Sequence, residues 1–529
     1  MKFLLRKLIW NEVWRLLKQI YLYGFKAVAK QDCKIYIMIA NTIERKITVP
    51  GPRVSPLFGH ITQVLNFVGD SIKLSSQLFD KYGSVVSLAL GGGTNVYSPY
   101  PNCPGTVLGY GADVVREVTT QHDIYHKCPL TARIYSKRND SARTQPFRHF
   151  LVGLFGVNGA DHRQHRQLLM PAFHKSRIEA YRDEMVVITS SELEKLQVGE
   201  VVDTLELMRR LTMRIATKTL FGMDFSENGD RFTTLLKEVF GKFGSSAVLA
   251  LPFDVPGFPF HKLLNDMVEL DATMRDTIQQ KRSAGIDSGD VLSMLIQARD
   301  AETGITLTDD ELLGHLGVIY FAGHDTSANA LTWTLFLLSQ HPQVAADLLD
   351  ELDSVLHGEA PSIEQLQQLP LLERVIKESM RVLSPVPWNG RVISQDTTFS
   401  GYDLPKGTEV FVSIYHTNRA PEIYSDPERF IPQRWEQIQP SIYEYNPFSA
   451  GSRVCIGAGF AMMEIKIILA MLLMRYRLEF LPQQVNAKGL IVLCAENGLS
   501  MRVCKQDREF NRGVGGVSGN VSEMVDLVE

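Results

Sequence analysis

One ten-residue stretch constrains this chain more than any other: Phe448-Ser449-Ala450-Gly451-Ser452-Arg453-Val454-Cys455-Ile456-Gly457. A lone cysteine is usually a small core hydrophobe, but these neighbours equip the thiol for something else. Gly451 and Gly457 allow tight turns and let backbone amides approach the sulfur. Phe448 can shield the sulfur from water. Arg453 offers a planar fork suited to a carboxylate on whatever the thiolate binds. Beyond it, Gly459 to Ala470 reads as a largely apolar helix, whose first amides and dipole favour a negative sulfur. That helix start is expected to favour a deprotonated Cys455.

A second segment, Ala322-Gly323-His324-Asp325-Thr326-Ser327, lies inside a long helical pattern from Asp309 to Gln340. Its composition is odd for a plain core helix. Gly323 costs about 1 kcal/mol relative to alanine in a helix interior, yet a missing side chain lets something bulky lie against the backbone. Thr326 can bond the carbonyl of Ala322, four residues earlier, and loosen the helix there. Asp325 and Thr326 put an acid beside an alcohol, the equipment for delivering protons into a dry pocket. His324 adjoins them on another helical face and reads as a hydrogen-bonding bystander. Further on, Glu378 and Arg381 stand three apart on one helical face, where they can pair.

The segment Phe448 to Gly457 matches, at every defining position, the heme-binding signature of the cytochrome P450 family, and Ala322 to Ser327 resembles that family's oxygen-activating motif. The resemblance covers roughly residues 50 to 505. It implies a mainly α fold with small β-sheets, the cytochrome P450 fold, in a single large heme-binding domain. The cofactor it implies is heme b, iron protoporphyrin IX, with Cys455 as axial ligand and Phe448, Gly457, Ala322 and Gly323 against it. A thiolate is a strong donor and favours O–O cleavage. Arg453, Arg391, His162 and Arg166 are implied to neutralise the propionates. Of these, Arg391 follows Pro385-Val386-Pro387-Trp388. His162 and Arg166 resemble the family's Trp-xxx-Arg helix, with histidine where tryptophan often stands and His165 as the alternative. Glu378 and Arg381 are implied to brace the fold with Arg434 from Phe430-Ile431-Pro432-Gln433-Arg434-Trp435, Arg429 being the competing choice.

The activity implied is insertion of one atom of dioxygen into a lipophilic small-molecule substrate. Electrons would come from a separate donor protein, a ferredoxin or flavoprotein reductase, since no second cofactor motif follows Cys455. Rival readings are a heme-thiolate isomerase or peroxygenase, and a heme-based sensor or carrier. Val318, Ile319, Ala322, the loop Cys128 to Phe147, the stretch Val248 to Phe260 and the Asn497-Gly498 turn are expected to line the substrate pocket.

Composition narrows the field. With 45% hydrophobic and 22% charged residues and a net charge of −4, the chain is globular and lacks the basic excess of a nucleic-acid binder. Its six cysteines include no CxxC pair, so neither zinc nor a disulfide framework is indicated.

Residues 1–49 form a basic leader. Lys7, Asn11, Arg15 and Lys18 make one stripe against Leu5, Ile9, Trp10, Val13, Trp14, Leu17 and Tyr21, an amphipathic pattern suited to a membrane surface. Packing on the protein's own surface is the alternative. Its apolar runs are too short to span a bilayer, and no cleavable signal peptide is evident. The expected location is cytoplasmic, or peripheral on the cytoplasmic face of a membrane.

Pro50-Gly51-Pro52 marks the start of the catalytic domain, residues 50–506. Helices are expected at 71–82, 177–196, 205–221, 230–243, 260–283 and 309–340. Strands are expected at 84–90, 391–399, 409–413, 477–480 and 490–494. The polar, Gly/Ser-rich residues 507–529 are expected to form a flexible tail.

Overall fold

The computed structural model describes residues 47–53, 60–90, 103–128, 141–223, 231–243, 248, 253–285, 288–300 and 303–527, within one compact unit, Arg45–Glu529. Most of the expected leader, and residues 91–102, 129–140 and 249–252, lie outside the described residues. Ile47 and Val49, at the leader's end, are buried beside Val85 and Val107. Among the described residues no helix is long and apolar enough to cross a membrane.

Six helices position the site: α1 (Gln145–Gly156), α2 (Gly159–Leu169), α3 (Thr204–Phe221), α4 (Asp309–Gln340), α5 (Pro370–Val382) and α6 (Ala458–Arg475). Helix α4 starts where the sequence dictates. The Thr308 side chain accepts from the Glu311 amide while Glu311 reaches back to Thr308, and three acidic residues in the first turn complement the helix dipole. It ends at Gln340, two residues before Pro342. At about 1.5 Å per residue its 32 residues run through the whole body, packed against α1, α3, α5 and α6. Such a helix is apolar nearly all round, as burial on every side requires. Its crossing with α1 is made of glycine. A Cβ on Gly153 would stand 2.3 Å from the Gly314 carbonyl oxygen, and one on Gly314 would stand 2.6 Å from that of His149.

A five-stranded sheet orders Val85–Leu90, Gly105–Gly109, Glu409–Ser413, Trp388–Ile393 and Tyr125–His126 side by side. Only Gly105–Gly109 and Glu409–Ser413 run parallel in it. A three-stranded sheet joins Val201–Asp203, Ser500–Lys505 and Tyr476–Phe480.

The structure corrects four expectations. The helix expected over 177–196 divides at Tyr181 into Lys175–Ala180 and Arg182–Leu193, where the tyrosine turns inward against Phe460. The strand expected over 391–399 is two strands, Trp388–Ile393 and Thr397–Phe399, in different sheets. Leu490 to Val492 form no strand; they are apolar because they face an internal cavity.

The fourth correction concerns the tail, which is packed through Leu527. Val521, Met524 and Val525 are buried, and Val517–Ser518 pairs with Gln483–Gln484. Its glycines serve close approach rather than flexibility. At Gly519, with φ 98°, a Cβ would stand 2.4 Å from the Val485 carbonyl oxygen.

Candidate functional site

The cysteine loop is a tight backbone cage. The Cys455 amide donates to the Phe448 carbonyl at 2.8 Å, closing the turn on itself. Gly451 has φ 66°, and a Cβ there would stand 2.2 Å from the Thr119 carbonyl oxygen, so glycine is required. Gly457 differs. Its φ is −91°, ordinary for any residue, and a Cβ would meet only Phe173, at 3.9 Å. The turn does not need this glycine, which leaves open space beside the sulfur. Helix α6 begins directly after it.

Cys455 is accessible, but to the lumen of an internal cavity, and protein encloses its other sides. Burial therefore pushes the thiol up, while the Gly457 amide, Lys127 and Arg166 pull it back only in part.

The cavity measures about 380 Å³ and is mostly apolar. Cys455, Phe448 and Gly457 line it, and so do Ala322, Gly323 and Thr326 of α4. Thr326 Oγ1 donates to the Ala322 carbonyl at 2.7 Å, as its spacing predicts. A Cβ on Gly323 would meet nothing within 4 Å. Asp325 is not among the lining residues; its carboxylate accepts from Arg209 Nε of α3 at 2.9 Å. No sequence signal marked Arg209, because a charged residue on a helix face has many partners to choose from. His324 is held by the Tyr320 carbonyl at 2.9 Å, which fits a bystander.

Basic side chains gather along another part of the wall. His162, Arg166, Arg453 and Lys127 line the cavity. His162 is buried, its Nε2 has no hydrogen-bond partner among the described residues, and burial, then Arg453 and Arg166, push it down to about 3. His165 turns away: its Nδ1 lies 3.1 Å from His315 Nε2 and its Nε2 lies 3.3 Å from Glu311. That separates the two histidines the sequence left open.

Arg453 donates to the carbonyls of Leu154 at 2.9 Å and Val157 at 2.6 Å, and to Asn158 Oδ1 at 2.7 Å, tying the cysteine loop to the α1–α2 turn. Arg391 is buried and donates to Asn389 Oδ1 and to the Gly390 carbonyl. From its strand, Trp388, Asn389 and Gly390 line the cavity and Arg391 does not.

The remaining pocket expectations divide. Val318, Ile319, Ala322 and Cys128 line the cavity. The Asn497-Gly498 turn does not, nor does Val248 or any of residues 253–260. Gly498 instead abuts the Asp203 side chain, which caps α3. Leu490, Ile491 and Val492 take that place on the wall.

These residues fit heme. A thiol faces the lumen, a Cβ on Gly323 or Gly457 would meet nothing closer than Phe173 at 3.9 Å, and His162, Arg166 and Lys127 have no carboxylate partner among the described residues.

Outside the cavity lining, Glu378 of α5 collects five donors. Oε1 accepts from Arg381 Nη2 at 2.9 Å, Arg434 Nε at 2.8 Å and the Ile431 amide at 3.0 Å. Oε2 accepts from Arg381 Nε and Trp435 Nε1, each at 2.9 Å. Arg434 is thus the third member of the cluster, and Arg429 supplies only its carbonyl, to Arg381 and Arg434.

Comparison with known proteins places these observations in a wider group. Residues 49–493 match the family model described as Cytochrome P450. Cyclooctat-9-en-7-ol 5-monooxygenase of Streptomyces melanosporofaciens is 32% identical over 332 residues, covering 61% of this chain and 72% of that one. Pentalenene oxygenase of Streptomyces avermitilis is 29% identical over 447 residues, covering 82% and 92%. The solved heme domain of cytochrome P450DA superposes with a TM-score of 0.72 at 24% identity, covering 88% of this chain and 99% of that one.

Proposed function

This chain belongs to the cytochrome P450 family, and on that premise we propose that it is a heme-thiolate monooxygenase acting on a lipophilic small molecule. The observation that carries the reading is the pairing across one cavity of the Cys455 thiol and the Thr326–Ala322 notch of α4, with unfilled space at Gly457 and Gly323. Family membership implies heme, and Cys455 would hold it, with His162, Arg166 and Arg453 at its carboxylates. When bound, the heme supplies the dioxygen chemistry.

The chain's own residues do the rest. Thr326 Oγ1, held by the Ala322 carbonyl, presents its hydroxyl at the cavity edge, where it can pass a proton inward. Asp325, tethered to Arg209, sits next to it in sequence as the acid that replenishes that hydroxyl. Val318, Ile319, Val386, Leu490, Ile491 and Val492 keep the substrate side dry and offer contact without hydrogen bonds. That wall suits a hydrocarbon-like molecule, in keeping with relatives named for cyclooctat-9-en-7-ol and pentalenene. Electrons come from a separate donor, a ferredoxin or a flavoprotein reductase.

The test is spectral and stoichiometric. Reduced protein under carbon monoxide should show the red-shifted thiolate band, and Cys455→Ala should abolish it. Thr326→Ala should keep the band but consume reductant with little product. Retention of the band without Cys455 would sink the assignment; undiminished product yield without Thr326 would favour the peroxygenase or isomerase reading.

A further inference from the structure

Helix α3 holds α4 at two consecutive residues. Arg209 Nε donates to the Asp325 carboxylate at 2.9 Å. Three residues on, and so on the same face of α3, Thr212 Oγ1 stands 2.9 Å from the carbonyl oxygen of His324. A hydroxyl has one proton to give, and Thr212 has three carbonyls in reach. Met208 at 3.0 Å and Arg209 at 3.4 Å belong to its own helix; His324, the nearest, belongs to α4. Thr217 and Thr219, further along α3, donate to carbonyls of their own helix, the ordinary habit of a helical threonine. Of these three, Thr212 is the one that ties the two helices together. We propose that Thr212 is a positioning residue for proton delivery: through the His324 carbonyl it fixes the backbone from which Asp325 serves Thr326.

That carbonyl belongs to the peptide unit whose nitrogen is the Asp325 amide. The unit is planar and rigid, so a donor on its oxygen from a neighbouring helix sets the direction in which the Asp325 side chain leaves the chain. Arg209 then holds the far end of the same side chain. Thr212, Arg209 and Asp325 are absent from the cavity lining, whereas Thr326 is part of it. The Arg209 and Asp325 side chains keep 34% and 21% of their surface exposed, and Thr212 is fully buried. The acid therefore reaches water while the alcohol beside it reaches the lumen, and transfer between them depends on how the backbone joining them is held. Water competes with the part-exposed ion pair. It has no access to the Thr212 bond, which makes the buried hydroxyl the firmer of the two anchors.

The inference rests on the monooxygenase reading above, and its test separates the two. Thr212→Val removes the hydroxyl and keeps the shape; Thr212→Ser restores the hydroxyl. Hydrogen exchange of the holoprotein is followed by mass spectrometry on peptides spanning residues 318–332. Loss of the bond between helices should speed exchange there about fivefold in Thr212→Val, with Thr212→Ser within about twofold of wild type. Reductant consumption is then measured in saturating dioxygen, with a ferredoxin or flavoprotein reductase system supplying electrons. Each dioxygen takes up electrons and protons in equal number, leaving as hydrogen peroxide with two of each or as two waters with four. Consumption should slow about fivefold in Thr212→Val, and its ratio between H2O and D2O should rise, because the proton step has become slower relative to the others. In an Asp325→Asn background the valine should add nothing, since Thr212 acts through that acid.

Equal rates and isotope effects in wild type and Thr212→Val, or a further slowing in the Asp325→Asn background, overturn the proposal and leave helix packing as the role of the bond. Unchanged exchange over 318–332 overturns it as well, for the hydroxyl then does not hold α4. A serine variant that behaves like the valine one assigns the effect to the lost methyl group and has the same consequence. Should the valine variant fail to fold, Thr212→Ala carries the same expectations. Failure of the wild type itself to show the thiolate band would sink the functional reading, an outcome independent of the exchange measurement.

Discussion

Two charge clusters of this protein are built on opposite principles. Around Glu378 the charges are closed: one buried carboxylate meets two buried guanidiniums, an indole and an amide. Along the cavity they are open: Lys127, His162 and Arg166 face a lumen with no carboxylate partner among the described residues. A closed cluster has its compensation inside the protein and can only hold shape. An open one is completed by something that arrives. The count of opposite charges distinguishes them.

That contrast is strongest where Glu378 is removed. Glu378→Ala strands two buried guanidiniums and should cost about 3–5 kcal/mol of stability, read as a lower urea midpoint in apoprotein and holoprotein alike. If only the holoprotein were affected, the closed cluster would have to be reassigned to the cofactor. Arg166→Gln should do the reverse: heme affinity falls about tenfold, the loss of one charged contact, while the apoprotein's urea midpoint stays put.

The smallest effect is a pH dependence. His162 is held near 3 in the folded apoprotein against an ordinary 6.5, so the unfolded chain binds the extra proton first. Apoprotein stability should therefore be complete above about pH 6.5 and decline on acidification towards pH 3. His162→Gln should make that decline shallower. His315 and His416, also held near 3, keep part of it. Heme should flatten the wild-type curve further, because its carboxylate opposes the cations that help to hold His162 neutral. An identical slope in wild type and variant would remove His162 from the open cluster.

The cysteine loop, the Ala322–Ser327 segment and the Glu378–Arg381 pair were legible because each is a local pattern: their bonds join residues near in sequence, and spacing along a helix or turn sets the distance. Thr326 meeting the Ala322 carbonyl is of this kind. Arg209, Asn158 and Lys127 were not legible, since each acts on a partner about 30 to 330 positions away. Residues 507–527 misled for a related reason. Gly-rich polar sequence suits a flexible tail and a close-packed strap equally well, and the surface around Val485 decides between them.

Sequence by itself determined the thiol and its turn, the long buried helix with its notch, and the mainly helical class, because backbone geometry and hydrophobic period are written residue by residue. Tertiary structure alone decided which charges are satisfied and which await a ligand. Whether a cation is buried, and whether a carboxylate reaches it, depends on chain crossings such as Gly153 on Gly314. Those crossings bring distant segments together around one cavity, and no spacing along the chain encodes them.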